Sequence, residues 1–224
     1  IGTEDLYNAI SVAEPTDDDL DAYNLTIEYS FPFADLVSST TIVNRDIDST
    51  LDQGGLLGGV NGVLGMFGIP GVDGVFSDQL IAIEAKSQEF RLVSDNDGPL
   101  NWTAGVFYKE QDFSLGLDGL SMPLIPSETW ELISQIIFGV TISDALFIAS
   151  AATTEQYAAF GEITYDLSDR LQLIAGVRYF EEDRESESGW GGVFPILLGG
   201  PFPGSVTTEG DDDMINPRVS LRYE

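Results

Sequence analysis

Residues Thr153–Asp183 read TTEQYAAFGEITYDLSDRLQLIAGVRYFEED, and their pattern decides the fold. The stretch divides into two arms joined by a tight turn at Asp166–Asp169. In the first arm Tyr157, Ala159, Gly161, Ile163 and Tyr165 fall on one face of an extended strand, opposite Gln156, Ala158, Phe160, Glu162 and Thr164. In the second, Leu171, Leu173, Ala175, Val177 and Tyr179 alternate with Gln172, Ile174, Gly176, Arg178 and Phe180. Successive side chains on a strand point to opposite faces, so each arm has an apolar side and a mixed, partly charged side. Strands of soluble sandwiches typically run about five or six residues. These arms are roughly twice that, closer to the 9–11 residues of a tilted membrane-spanning strand. Tyrosines near the ends of the apolar face match the aromatic girdles of a transmembrane barrel.

The same grammar recurs along the chain. Strand-like runs are predicted from Asn24, through Leu36–Asp48, Lys86–Asp95, Leu100–Phe113 and the two arms above, and finally over Met214–Glu224. Leu100–Phe113 repeats the aromatic-ended apolar face with Trp102, Ala104, Val106 and Tyr108. Phe31-Pro32-Phe33-Ala34-Asp35 and Asn96-Asp97-Gly98-Pro99 read as short turns, since proline cannot donate to a central ladder and Asp-Gly tolerates positive φ. Between them lie long interruptions at Ser49–Ala85, Ser114–Ala152 and Arg184–Asp213. Connections therefore alternate short and long, as in outer-membrane barrels with short periplasmic turns and long extracellular loops. Arg45, Arg91, Lys109, Arg178, Arg218 and Arg222 fall on the face opposite the apolar one, which in a barrel is the lumen. A solvated outer face of a soluble sheet would give the same pattern.

Two stretches invite a spanning helix. The run GGLLGGVNGVLGMFGIPG is apolar, but glycine costs about 1 kcal/mol per residue in a helix, so a compact loop is expected. Leu132–Ala152 carries only Asp144 as a charge, and Gly139, Thr141, Ser143 and Asp144 break it. Two short helices are expected there: one N-capped by Ser127 and ending at Gly139, another from Ser143 through Ala152.

Composition narrows function. With 38 acidic against 9 basic residues the formal charge is −29, and a nucleic-acid partner, which needs clustered Lys and Arg, is excluded. No histidine or cysteine is present, which removes Ser–His–Asp and Cys–His catalysis and the His- and Cys-ligated zinc sites. The triplets Asp17–Asp19 and Asp211–Asp213 offer oxygen ligands of the kind calcium takes, without an EF-hand's spacing. They read as solvated loops, and no catalytic, cofactor-binding or metal-ligating residue is expected. Glu162 and Arg178 face one side of a hairpin and are expected to form a lumen charge pair. Trp130, Trp190 and the apolar Leu56–Phe67 run are candidates for a ligand-contacting mouth. No spacing specifies a ligand.

The segments QEFRLVSDNDGPLNWTAGVFYKEQDF, YAAFGEITYDLSDRLQLIAGVRYFEED and INPRVSLRYE, in that order, resemble the barrel strands of TonB-dependent outer-membrane receptors. The resemblance covers the strands and not the loops. It implies an all-β fold: an antiparallel transmembrane β-barrel segment of about seven strands, with long extracellular loops carrying short helices. Residues 1–224 would then be part of a larger barrel whose lumen holds a plug domain. The opening IGTEDLYN and the closing LRYE, inside a strand pattern, carry the same expectation of a fragment. The implied function is import of a scarce ligand such as a ferric siderophore across the outer membrane of a Gram-negative bacterium. The implied partners are the TonB complex through the plug, outer-membrane lipid and lipopolysaccharide, and the small-molecule ligand; no cofactor and no catalysis are implied. A passive porin-like channel and a soluble β-rich binding module are the alternatives.

Overall fold

In the computed structural model, every strand meets its sequence neighbour in one continuous antiparallel sheet of seven strands, in the order β1 to β7. The structure describes residues 13–95, 98–121, 127–139, 141–142, 146–193, 196 and 204–223. The strands are β1 (Thr16–Phe31), β2 (Ala34–Asp52), β3 (Phe76–Ser94), β4 (Leu100–Ser121), β5 (Phe147–Ser168), β6 (Leu171–Gly191) and β7 (Gly204–Tyr223). Two helices, α1 (Leu57–Met66) and α2 (Ser127–Phe138), lie in the β2–β3 and β4–β5 connections. No helix among the described residues is long and apolar enough to cross a membrane, which says nothing about crossing by strands.

The expected alternation of connections is present. Pro32-Phe33, the 95–99 segment and Asp169-Arg170 close one end of the sheet; residues 53–75, 122–146 and 192–203 bridge the other. No second sheet covers either face among the described residues. Val106 (54% exposed), Tyr157, Ile163 and Val177 (51%) all stand open, so the described residues form no two-layer core over this face.

The strands run well past their expected ends. β4 and β5 each span 22 residues and β6 spans 21, so polar stretches read as loops are ladder instead. Asp17–Asp19 lies in β1, paired with Asp48, Ile47 and Asp46, and Asp211–Asp213 lies in β7, paired with Asp183, Glu182 and Glu181. Arg184–Gly191 and Gly204–Asp213 are likewise strand. The second short helix is also corrected: Phe147–Ala152 begins β5, and residues 143–145 lie outside the described set. These stretches are rich in acids, Ser, Thr and Gly and lack a hydropathy contrast between faces, and once backbone pairing is propagated from an apolar hairpin it needs no apolar face to continue. Strand alternation also separates each aspartate triplet. Asp18 points to one face, Asp17 and Asp19 to the other.

α2 forms where expected and ends at Gly139, whose φ of 71° lets its N–H reach the Gln135 carbonyl at 3.1 Å. The glycine-rich run is not the plain loop expected. A 3₁₀ turn at Gly54–Leu56 leads into α1, held by tertiary packing against α2.

Candidate functional site

Register places the two faces of the sheet residue by residue. On one face Trp102 pairs with Ile163 and Ile163 with Ala175; Val106 pairs with Ala159 and Ala159 with Tyr179. Tyr23, Tyr108, Tyr157 and Tyr179 border this apolar band toward the long loops, and Tyr29, Trp102, Tyr165 and Tyr223 border it toward the short turns. The two borders are roughly 20–27 Å apart along the strands at about 3.3 Å per residue, the height of a bilayer-facing band.

Above the band the same face turns acidic. The tyrosine hydroxyls mark the change: Tyr108 Oη donates to Glu110 Oε2 at 3.1 Å, Tyr157 Oη to Glu155 Oε2 at 3.1 Å and Tyr179 Oη to Glu181 Oε2 at 3.4 Å. The Tyr108 and Tyr157 rings lie side by side, with centroids 4.9 Å apart. Each phenol belongs to a Tyr-x-Glu or Glu-x-Tyr triplet, and a spacing of two on a strand puts both side chains on one face. That triplet is the signal in the sequence for this row, and it stands apart from the hydropathy alternation that marks the strands. The ring sits in the apolar zone while its hydroxyl reaches a carboxylate, the behaviour of an amphipathic side chain at an interface.

Lys86, in register with Ile42 and Glu110, lies on the tyrosine-bordered face, but the opposite face carries most of the strand cations. Arg91 pairs in register with Gly105, Lys109 with Gln156, Arg178 with Phe160, Arg218 with Gly176 and Arg222 with Gln172, all on this face as expected. Arg45 joins them beyond the tyrosine row. Its Nε donates to Asp18 Oδ1 at 2.9 Å and its Nη2 to Oδ2 at 2.6 Å. This bidentate bond, reinforced by the guanidinium charge, holds the Asp18 carboxyl below its ordinary value and lifts Arg45 further above its own. Glu162 forms a charge pair on this face, but with a different arginine from the one expected. Its Oε2 lies 3.5 Å from Arg218 Nη1 on β7, across Gly176 of the intervening strand. Arg178, the expected partner, instead places its guanidinium carbon 5.7 Å from the Phe107 ring centroid. Gly105 makes this surface possible, because the Phe160 ring lies where a Cβ at that position would stand.

At the mouth the three long connections share one apolar core. Val60, Val63 and Leu64 of α1, Val72 and Val75 beyond it, Trp130 and Ile133 of α2, and Val193 after β6 form a single buried cluster. Asn61 clasps the first loop, its amide bonding the Val72 carbonyl at 3.0 Å and accepting from the Val72 N–H at 2.7 Å. Ser134, fully buried, donates to the Glu131 carbonyl at 2.9 Å and accepts from the Ile142 N–H at 2.9 Å, tying the return chain to α2. The candidate mouth residues therefore divide. Trp130 is only 3% exposed and belongs to this core, as do the buried residues of the Leu56–Phe67 run, whereas Met66 stands out at 82%. Trp190 keeps a buried indole N–H with no hydrogen-bond partner among the described residues.

Among the described residues no cluster of three or more acidic side chains is arranged to hold a metal ion.

A long-stranded, two-faced wall with loops gathered at one end matches a family model described as TonB dependent receptor-like, beta-barrel, over residues 3–224. The chain belongs to the TonB-dependent receptor β-barrel family. Barrels of this family reside in the outer membrane, and the family is one of receptors, not enzymes. Among solved structures the chain is similar to the ferric yersiniabactin uptake receptor FyuA from Yersinia pestis, with a TM-score of 0.67 and 15% identity. That match covers 96% of this chain and 28% of the receptor, so the chain spans about a quarter of the receptor's length. At this identity the likeness is one of fold. Barrels of this kind turn an apolar, aromatic-bordered face outward and a polar face toward the lumen.

Proposed function

We propose that this chain is one sector of the barrel wall of an outer-membrane receptor that imports a scarce ligand of the ferric siderophore kind with energy supplied through TonB. A plug domain elsewhere in the same receptor would occupy the lumen and contact TonB. Lipid would surround the tyrosine-bordered band, and lipopolysaccharide the acidic wall above it. The observation that carries this reading is the sorting of the two faces within one uncovered sheet. The apolar band stands open on one side, while Arg91, Lys109, Arg178, Arg218 and Arg222 line the other. The receptor whose structure the chain resembles is named for uptake of ferric yersiniabactin, which supports the choice of ligand class.

The test is iron uptake from ferric chelates by cells that carry the full receptor, with and without TonB. Uptake that needs both the receptor and TonB is expected. Receptor-dependent uptake that persists without TonB would make the barrel a passive channel.

A further inference from the structure

Two register rows cross the tyrosine-bordered face on the long-loop side of the tyrosines. In one, Asp19 and Asp46 on β1 and β2 lead through Ala82, Ser114 and Ala151 to Glu187 on β6. In the other, Asp17 and Asp48 lead into Leu80 and Gly116. Because the side chains on β4 and β5 are small, the wall dips there into a groove of about 850 Å³. A Cβ placed on Gly116 would meet nothing within 4 Å, so the floor stands open. Carboxylates line the groove and no lysine or arginine does. Asp17, Asp19, Asp46, Asp48 and Glu187 form no ion pair among the described residues. Asp17 stands directly opposite Asp48, and Asp19 opposite Asp46. Like charges in that position oppose strand pairing, so this stretch of wall is destabilised until a cation reaches it.

We propose that this groove seats an extended basic segment of a second protein, with a lysine or arginine at each end and small apolar side chains between them. Four interstrand spacings separate Asp46 on β2 from Glu187 on β6, roughly 19 Å at about 4.8 Å each. About six residues of extended chain span that distance at about 3.3 Å per residue. The end cations meet the carboxylates that the fold leaves unpaired, while the middle lies on Ala82, Gly116 and Ala151. Gly116 adds no side chain, which lets another backbone approach closely. A lone divalent cation does not fit as the occupant, since among the described residues no three acids are arranged to hold one. Nor does an anionic ligand, which the rim repels. Ser114 lies six residues beyond Tyr108 on β4, about 20 Å past the tyrosine row, so the groove clears the apolar band. This inference rests on the outward assignment of the tyrosine-bordered face and is independent of the cargo.

The experiment uses the full-length receptor in detergent and a fluorescent probe peptide, Lys-Val-Ala-Val-Ala-Val-Lys, capped at both termini. Binding is followed by fluorescence anisotropy. Two further peptides serve as comparisons, one with glutamate at both ends and one with serine in place of every valine and alanine. The probe is expected to bind at least tenfold more tightly than either, with an affinity that falls as salt is raised. The triple variant Asp46→Asn/Asp48→Asn/Glu187→Gln is expected to lose at least tenfold. Ala151→Trp, which fills the groove and keeps every charge, is expected to lose as much. Glu209→Gln/Asp211→Asn/Asp213→Asn removes three charges from the same face outside the groove and is expected to lose less than twofold. Heat-modifiable migration reports whether each variant retains its folded barrel. Absence of binding, equal binding of the serine peptide, or an equal loss in the β7 variant would overturn the proposal; the last would assign the attraction to the acidic wall at large. The outward assignment is read separately, by labelling Ser114→Cys on intact cells with an impermeant maleimide. Labelling without selective peptide binding would overturn the proposal and leave that assignment standing. Selective binding in detergent without labelling on cells would do the reverse.

Discussion

Arg218 on β7 and Glu162 on β5 meet at 3.5 Å although a whole strand separates them, because the residue between them is Gly176. A Cβ at Gly176 would come within 3.4 Å of the Glu162 Cβ and Cγ and 3.2 Å of the Gly161 carbonyl. Gly176→Leu is therefore expected to part the pair. The two side chains are 65% and 42% exposed, so the electrostatic loss itself is small, less than about 1 kcal/mol. A double-mutant cycle of Arg218→Gln and Glu162→Gln, read by denaturant unfolding of the full receptor, should show that coupling in the wild type and none in the Gly176→Leu background.

Gly105 is expected to tolerate substitution far less. A Cβ there would stand 2.5 Å from Phe160 Cζ and 2.8 Å from the Phe90 carbonyl, and the second neighbour is backbone. Gly105→Ala should cost about 1–3 kcal/mol as an overpacked site. Trimming the ring with Phe160→Leu should restore part of that loss in the same unfolding assay, and no restoration would show that the carbonyl contact alone limits the site.

The outer wall and the lumen wall predict opposite responses to one substitution. Val106→Arg would place a guanidinium in the apolar band, costing about 2–4 kcal/mol if the band faces hydrocarbon. Thr103→Arg, on the lumen face of the same strand, should cost far less. Unfolding in lipid vesicles is the measurement, and equal costs for the two would contradict the bilayer assignment of the faces.

The Asp18–Arg45 pair sets a pH dependence whose sign follows from the direction of the shift. The folded carboxyl titrates below its unfolded value of 3.8, so the pair contributes fully above that pH and is lost as pH falls through the lower, folded value. The stability difference between the wild type and Arg45→Gln should be constant above about pH 5 and shrink toward zero in stronger acid. A difference that grows on acidification would contradict the assignment.

In the loop core, Leu64→Ala removes a fully buried side chain. Such truncations cost about 2–5 kcal/mol in a packed site. That cost should fall on the loops and not on the sheet. Protease cleavage within residues 53–75 should accelerate, as should cleavage in the β4–β5 connection that shares the core, with the barrel's own unfolding midpoint unchanged.

How far the sequence revealed this structure depends on what each feature needs. Tyr157–Tyr165 and Leu171–Tyr179 showed their faces because alternation of apolar and polar residues is a local signal. The strand extensions were hidden because Glu181–Ser188 alternates acids with polar residues and lacks the hydropathy contrast that marks a half-buried strand. Glu162 was legible as a charge partner on the arginine face, but the arginine it meets was not. The choice of Arg218 over Arg178 depends on the register of β7, set only after the 192–203 connection has closed. Trp130 looked like a mouth residue because its companions, Val60, Leu64 and Val193, come from other loops and no single stretch displays them together.

That shared loop core has a practical consequence for anyone who would redesign the receptor. Transplanting one of its surface segments from a homologue would leave Trp130 or Leu64 facing a stranger's side chains, and the two segments left behind would lose their support. The entrance must be inherited, exchanged or evolved as a set of three.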